Sequence, residues 1–401
     1  MLASWLRLKY PHVINGAIAA SAPVLALEGN TRPTPDPESF AETVTRAAGP
    51  AGGAAETCAG NVRRAFSAVL SSGDEQGCLM MVTIHMYQVL LNLLLCSLVS
   101  TSVAHVCQEA AAEDDVARLL RVCPGEEPQG KGALLELAWW ARAAFDYLSM
   151  GNYPYATGYI LNDGKGVVEL PPWPLREACS RLADPALQAR DTWRLNLLSA
   201  LADAIGVYYN ATGTVECFSP AAGANNESAI DGANWNWQAC TEMSMPMSTD
   251  GVRDMFWSAP WDPVAQDAIC REQFGVSQHE GWGVAEYGGY DAWSQVTNVV
   301  FSNGRLDPWS GLGVLDQTQA GPGITIVLMD QAAHHLDLFF ENPSDPEEVL
   351  QARQKEMDLV ESWVRDGYNR ASSAHRLGGK DLAPPILQSY KPGSIGLLAD
   401  W

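Results

Sequence analysis

The sequence predicts an α/β fold, with a parallel sheet that carries the functional side chains and a block of helices inserted between its strands. Two short apolar runs rich in β-branched residues, at 299–301 and 324–328, are each bounded by turn residues. Such runs are typical of buried parallel strands. Between residues 32 and 290 the apolar residues instead recur at helical spacing. Strands flanking a helical block favour the α/β class.

The N-terminal residues predict the first two elements of this fold. Residues 1–10 place apolar side chains at helical spacing, and Pro11 would end the helix. Residues 13–21 are small and mostly apolar, which predicts a short buried strand that ends before Pro23. Further along, two apolar stripes predict helices packed in a core: Val62, Phe66, Val69 and Leu70, and then Leu198, Leu201, Ile205 and Tyr208.

Composition limits the classes of partner. The chain has 401 residues, of which 47 are acidic and 25 basic, for a formal net charge of −22. This excess of negative charge argues against nucleic acid and anionic membrane surfaces as partners. It is compatible with an acidic compartment, where many carboxylates carry less charge. We expect neither a cofactor nor a metal.

Candidate catalytic residues follow the two predicted strands. Asp307 comes after the first strand, and the pair His334–His335 comes after the second. In open α/β sheets the functional residues lie at the carboxyl ends of strands. An Asp followed by a His forms the second half of a Ser–Asp–His triad in which the Asp orients the imidazole. The same pattern also fits a plain Asp-Pro turn and a structural histidine pair.

Several motifs resemble one known family. In order along the chain they resemble the proline-specific serine exopeptidases, the family of lysosomal Pro-X carboxypeptidase and dipeptidyl peptidase II. The resemblance covers most of the chain and implies a peptidase that cleaves next to proline in peptide substrates. The motifs are KYPHVINGAIAASAP at 9–23, NYPYATGY at 152–159, WNWQACTE at 235–242, DGVRDMF at 250–256, SNG-x-LDPWSG at 302–311 and AHHLDL at 333–338.

This resemblance assigns roles to residues. It implies that Asp307 is the triad acid and His334 the base, and that Met1, Met245 and Trp309 line the proline pocket. The family's nucleophile lies in a G-x-S-x-G-G turn followed by Met, and residues 1–401 contain no G-x-S-x-G. We therefore expect that the serine lies upstream of residue 1 and that the chain as printed is inactive. The alternative is a truncated paralogue or isoform that at most binds peptides.

The resemblance also implies a domain organisation. The fold would be a partial α/β hydrolase with a large, disulfide-bearing helical lid at 32–290. The hydrolase core would comprise residues 1–31 and 291–370, and residues 371–401 would form a tail. The implied disulfides are Cys58–Cys179, Cys123–Cys217 and Cys240–Cys270.

Residues 78–107 fit no part of this scheme. The segment contains no Asp, Glu, Lys or Arg and holds the remaining three cysteines, Cys78, Cys96 and Cys107. Three interpretations stay open. The segment is a translated non-coding or mispredicted stretch, a buried lid helix, or a transmembrane span.

Other features concern the compartment. Nine cysteines are many for a cytosolic enzyme, and two glycosylation sequons occur, at Asn210 and Asn226. The chain opens without a signal-peptide pattern, which we interpret as a sign of a fragment. For the full-length protein we predict the lysosome, the vacuole or secretion. We leave a homodimer open, and the sequence does not decide between carboxypeptidase and dipeptidyl-peptidase cleavage.

Overall fold

The structure is a computed structural model, and it describes most of the chain. The apolar segment 78–107 with its three cysteines, the sequon at Asn226 and the end of the predicted tail all lie outside the described residues. Among the residues that are described, no helix is both long enough and apolar enough to cross a membrane. The described ranges are 1–30, 36–71, 113–130, 132–161, 168–188, 193–220 and 229–378.

The elements follow the predicted order of strand, helical block and strands. Helix α1 (Leu2–Lys9) and strand β1 (Ala17–Ala20) come first. The block contains helices α2 (Ser39–Ala47), α3 (Thr57–Leu70), α4 (Glu113–Leu119), α5 (Ala133–Met150), α6 (Pro174–Arg181), α7 (Trp193–Tyr209) and α8 (Ala229–Thr241). Then come strands β2 (Thr249–Asp250) and β3 (Ser258–Ala259), and helices α9 (Pro263–Phe274), α10 (Trp282–Tyr287) and α11 (Gly289–Ala292). Strands β4 (Val299–Gly304) and β5 (Ile324–Met329) and helix α12 (Glu347–Gly378) complete the described chain.

A parallel sheet with the order β1–β4–β5 lies at the centre of the fold. Ala17 is paired with Val299, and Val299 in turn with Ile324. Every residue of β4 is buried, as expected for a middle strand covered on both faces. The whole helical block lies in the chain between β1 and β4, yet these two strands are neighbours. Parallel neighbours require such a crossover connection.

Strand β1 is shorter than predicted. The sequence predicted a strand over 13–21, whereas the paired residues are Ala17–Ala20. The guanidinium of Arg7 donates hydrogen bonds to the carbonyl oxygens of Pro11 (3.2 Å) and Ile14 (2.8 Å). These bonds hold the residues before β1 in a turn against α1, so those residues are not available for pairing with β4.

Both predicted apolar stripes are buried in the core of the helical block. Val62, Phe66 and Val69 on α3 are fully buried, and Leu70 is half-buried. The α7 stripe is likewise almost entirely inaccessible to solvent. The ring of Phe66 packs against Phe145 of α5, at 6.3 Å between ring centroids. This packing stabilises the block through burial of apolar surface.

Within the described residues, three disulfides connect the helical block, with the pairings implied by the resemblance. Cys58–Cys179 joins α3 to α6, and Cys240–Cys270 joins α8 to α9. Cys123–Cys217 links the segments that follow α4 and α7. Cross-links that close loops this long stabilise a fold mainly by restricting the unfolded chain.

Helix α12 covers the sheet near β1. A Cβ atom at Gly16 would lie 2.2 Å from the ring of Trp363, so only glycine allows this close approach. The helix runs to Gly378, beyond the boundary predicted at residue 370. Residues 371–377 include alanine, leucine and arginine, which are good helix formers, and no proline interrupts the helix, which continues through Gly367. The predicted start of the tail was therefore too early.

Candidate active site

The loop after β4 holds Asp307 in a fixed orientation. Asp307 begins a short 3₁₀ turn, Pro308–Leu312, and its Oδ1 accepts a hydrogen bond from the backbone N–H of Trp309 (3.1 Å). Its side chain is completely buried. At the end of β4, a Cβ on Gly304 would lie 2.2 Å from the carbonyl oxygen of Ala332, so glycine is required where the two loops meet. One oxygen of the Asp307 carboxylate caps the turn, and the other is free to bind a neighbour.

His334 lies on the loop after β5 and occupies that second position. Its Nδ1 is 3.0 Å from Oδ2 of Asp307, and 16% of its side chain is exposed. An Nδ1–H that donates to a buried carboxylate leaves Nε2 unprotonated and able to accept a proton. The structure thus brings together the two residues proposed as acid and base, at the carboxyl ends of adjacent parallel strands.

The adjacent His335 has a different environment. Burial and, to a smaller extent, the neighbouring His334 lower the pKa of His335 to about 3. A backbone φ of 57° places His335 in the left-handed region, which non-glycine residues rarely adopt. Its backbone N–H donates to Oγ of Ser21 (3.2 Å), which helps to hold this conformation. His335 is therefore neutral and packed behind the His334 ring, at 3.6 Å between ring centroids.

The end of α5 contacts both loops. The hydroxyl of Ser149 donates to the carbonyl oxygen of Leu306 (3.1 Å), directly before Asp307. The hydroxyl of Tyr153 donates to the carbonyl oxygen of His334 (2.7 Å), whose own N–H donates to the carbonyl oxygen of Met150 (3.2 Å). Sequence reasoning did not assign Ser149 or Tyr153 to the site. The available signal was the motif at 152–159, quoted only for its resemblance.

A buried polar cluster follows the His334 loop. Oγ of Ser302 donates to Oδ2 of Asp337 (2.5 Å), and the carboxyl group of Glu356 on α12 is hydrogen-bonded to Asp337. Burial and, to a smaller extent, the negative charge of Asp337 raise the pKa of Glu356 to about 8. Arg353 donates to the carbonyl oxygen of Leu336 (2.8 Å). The sequence pattern does not indicate this cluster.

The three residues predicted to line a proline pocket belong to or pack against one hydrophobic core cluster. Met245 is 7% exposed, and Met1 and Trp309 are half-buried. The ring of Trp309 lies between Phe40, at 5.1 Å, and Trp235, at 5.5 Å, both in edge-on geometry. Phe40 and Trp235 were not predicted as pocket residues, although Trp235 opens one of the resembling motifs. Aromatic faces of this kind suit an apolar ring such as proline.

Of the two predicted glycosylation sites, the structure describes Asn210. Its side chain bonds the backbone of Val215, with Nδ2 donating to the carbonyl (3.2 Å) and Oδ1 accepting from the N–H (2.8 Å). The site lies just after α7, away from the Asp307–His334 pair in the chain. Over the described ranges, no group of three His, Cys, Asp or Glu residues is arranged to hold a metal ion.

Comparison with known proteins identifies the family to which this chain belongs. Residues 1–77 and 103–356 match the family described as serine carboxypeptidase S28. The chain belongs to this family. Its fold is therefore α/β-hydrolase-like, and the family consists of serine peptidases. The match omits residues 78–102, which fall within the apolar segment that fitted no part of the predicted scheme.

Curated relatives give the same result. The chain is 32% identical to the lysosomal Pro-X carboxypeptidases of Pongo abelii and Homo sapiens over 376 residues, and 34% identical to that of Mus musculus over 374 residues. These alignments cover 94%, 94% and 92% of this chain. The chain spans 63% of the length of each of these relatives.

Proposed function

We propose that the protein containing this chain is a serine exopeptidase that cleaves peptides next to proline. The observation that carries the proposal is the 3.0 Å contact between Nδ1 of His334 and the buried carboxylate of Asp307. The names of the related Pro-X carboxypeptidases supply the substrate class. The direction of cleavage, from the amino or the carboxyl end, is left open by these residues.

In the proposed reaction, His334 moves protons and Asp307 supports it. Nε2 of His334 takes the proton of a serine hydroxyl as that oxygen attacks the carbonyl carbon of the scissile bond. The buried Asp307 carboxylate stabilises the imidazolium that forms. His334 then gives the proton to the leaving amine, and water hydrolyses the acyl-enzyme with the same histidine as base. We assign no nucleophile within residues 1–401, because the chain contains no G-x-S-x-G turn.

The pocket proposed for proline centres on Trp309. This residue follows Asp307 by two positions and lies in the 3₁₀ turn that the Asp307 carboxylate caps. Phe40 and Trp235 extend the same aromatic surface. Met1 and Met245 are proposed as further lining residues, because the thioether side chain adapts to irregular shapes. The helical block between β1 and β4 is proposed as the lid that limits access to short chain ends.

The proposed compartment of the full-length protein is the lysosome, the vacuole or the cell exterior. The related carboxypeptidases are named as lysosomal. Three disulfides within the helical block fit an oxidising secretory route. The acidic composition fits a compartment of low pH.

A single peptide experiment separates peptidase from peptide-binding protein. Matched short peptides with proline or alanine at one position are incubated with the protein, cleavage is followed by mass spectrometry, and binding by calorimetry. Proline-dependent cleavage that His334→Ala abolishes is the expected result for the peptidase. Proline-dependent binding without cleavage would favour the non-catalytic alternative. Equal cleavage and equal binding of the proline and alanine peptides would contradict the proposal.

A further inference from the structure

The segment of residues 149–153, at the end of α5, connects the helical block to both loops of the candidate pair. On the acid side, Oγ of Ser149 donates to the carbonyl oxygen of Leu306 (3.1 Å), the residue before Asp307. On the base side, the same segment binds both backbone groups of His334. The Met150 carbonyl oxygen accepts from its N–H (3.2 Å), and the Tyr153 hydroxyl donates to its carbonyl oxygen (2.7 Å).

These contacts lie where water cannot replace them. Ser149 is fully buried, and Tyr153 is the second largest of the side chains with almost no exposed surface. The ring of Tyr153 packs against Phe339, at 5.2 Å between centroids, which fixes the direction of its hydroxyl. In such surroundings a lost hydrogen bond leaves a backbone carbonyl without a partner, and the backbone shifts to find one.

The bonds from residues 149–153 hold parts of the two loops that the direct bond between the loops does not hold. The two loops also bond directly, since the N–H of Leu306 donates to the carbonyl oxygen of Ala332 (3.0 Å). That bond fixes the spacing of the loops but not the peptide planes on either side of the His334 ring. The bonds from residues 149–153 fix those planes, and the plane determines where the imidazole points.

We propose that Ser149 and Tyr153 are positioning residues, which orient Asp307 and His334 toward each other from the helical block. The inference rests on the proposed roles of Asp307 and His334. Neither hydroxyl touches the reacting atoms, and each acts through the backbone of a loop. A displacement of the end of α5 would therefore alter the pair directly, which couples the helical block to the chemistry.

Proton NMR of the full chain tests this inference without a need for turnover. The proton between Nδ1 of His334 and the Asp307 carboxylate gives a far-downfield resonance when the pair is ordered, and Asp307→Asn identifies it. In Tyr153→Phe we expect the exchange of this proton with water to rise about fivefold, because one buried hydrogen bond is lost. The matched control is Tyr209→Phe, which removes another hydroxyl bonded to a backbone carbonyl, that of Trp140 (2.7 Å).

The outcomes are distinct. Faster exchange in Tyr153→Phe but not in Tyr209→Phe supports the inference. This holds even if the protein does not cleave proline peptides, a result that would contradict only the proposed function. Equal changes in both variants indicate general destabilisation and overturn it, as does an unchanged resonance in Tyr153→Phe or no such resonance in the unmodified protein. If Tyr153→Phe does not fold, Ser149→Ala is read by the same criterion.

Discussion

Glu356 on α12 is hydrogen-bonded to Asp337, and both carboxyl groups are buried. Asp337 lies three residues after His334. Two buried carboxylates this close repel each other, so one of them keeps its proton. Arg353, the nearby cation, bonds the backbone carbonyl oxygens of Leu336 and Asp337 and the side chain of Asp345. The proton on this pair therefore contributes to the stability of the folded chain.

The first prediction is a dependence of stability on pH that Glu356→Gln removes. Burial raises the pKa of Glu356 from 4.5 to about 8, so the folded state binds this proton more tightly than the unfolded chain. The contribution of this proton to the free energy of unfolding is complete below about pH 4.5. It is lost as the pH rises toward about 8, by about 1.4 kcal/mol per pH unit. Chemical denaturation at several pH values between about 5 and 8 measures the free energy of unfolding. This free energy should fall less steeply with pH in Glu356→Gln, because its amide can donate to Asp337 at every pH.

Glu361→Gln is the control, since Glu361 lies on the same helix with a side chain that is 40% exposed. The free energy of unfolding of Glu361→Gln should fall with pH as steeply as that of the unmodified protein. If Glu356→Gln and Glu361→Gln gave the same slope, the buried proton would have no role in stability.

The second prediction concerns the charge of Asp307. Asp307→Asn keeps an oxygen that accepts the Trp309 N–H but removes the negative charge beside His334. In the active protein we expect turnover of a proline peptide to fall by about 10⁴-fold, as for the same change in serine proteases of known mechanism. Asp316→Asn is a close control, because Asp316 also begins a 3₁₀ turn and accepts from a backbone N–H two residues on. A similar loss in both variants would show that capping, and not charge, is what matters.

The third prediction tests Trp235 as part of the proline pocket. Trp235→Ala removes the ring that packs edge-on against Trp309. An aromatic pair is worth about 0.5–1.5 kcal/mol, so KM for a proline peptide should rise about 2- to 10-fold with little change in kcat. Trp237→Ala, on the same helix but packed against Phe274, should leave KM unchanged. A larger effect on KM from Trp237→Ala would place the pocket elsewhere.

The fourth prediction concerns the close approach of the two loops. In Gly304→Ala the new methyl group would meet the carbonyl oxygen of Ala332 at 2.2 Å, and backbone cannot move aside as a side chain can. We expect a loss of about 1–3 kcal/mol in the free energy of unfolding. Gly60→Ala is the control, because its position on α3 has no atom within 4 Å of the new Cβ, and it should stabilise by about 0.5–1 kcal/mol. Thermal unfolding of both variants provides the measurement.

The sequence predicted those parts of the fold that depend on local pattern. The two apolar runs gave β4 and β5, and their loops gave Asp307 and His334, because side chains after adjacent parallel strands meet at one edge of the sheet. The buried stripe on α3 followed from its helical period. Strand β1 was predicted too long, since the bonds from Arg7 to the following turn leave no local signature.

The rest of the site depends on contacts between residues distant in sequence. Ser149 reaches Leu306 and Tyr153 reaches His334 only once the end of α5 has packed against the two loops, and the local pattern of residues 149–153 does not show which residues they contact. The same holds for Glu356 and Asp337, which lie on separate elements and look like ordinary surface acids in the sequence. Such residues become recognisable through burial, which a single sequence does not display.

The placement of the helical block between β1 and β4 has a consequence for biosynthesis. Strand β1 leaves the ribosome before the block, and its partner β4 follows only after the whole block has been translated. At about 5–20 residues per second, β1 waits for its partner for roughly tens of seconds. During this time its small apolar residues are unpaired and accessible, which is the condition that favours aggregation or chaperone binding. Pairing of β1 with β4 thus has to wait until the helical block has been synthesised.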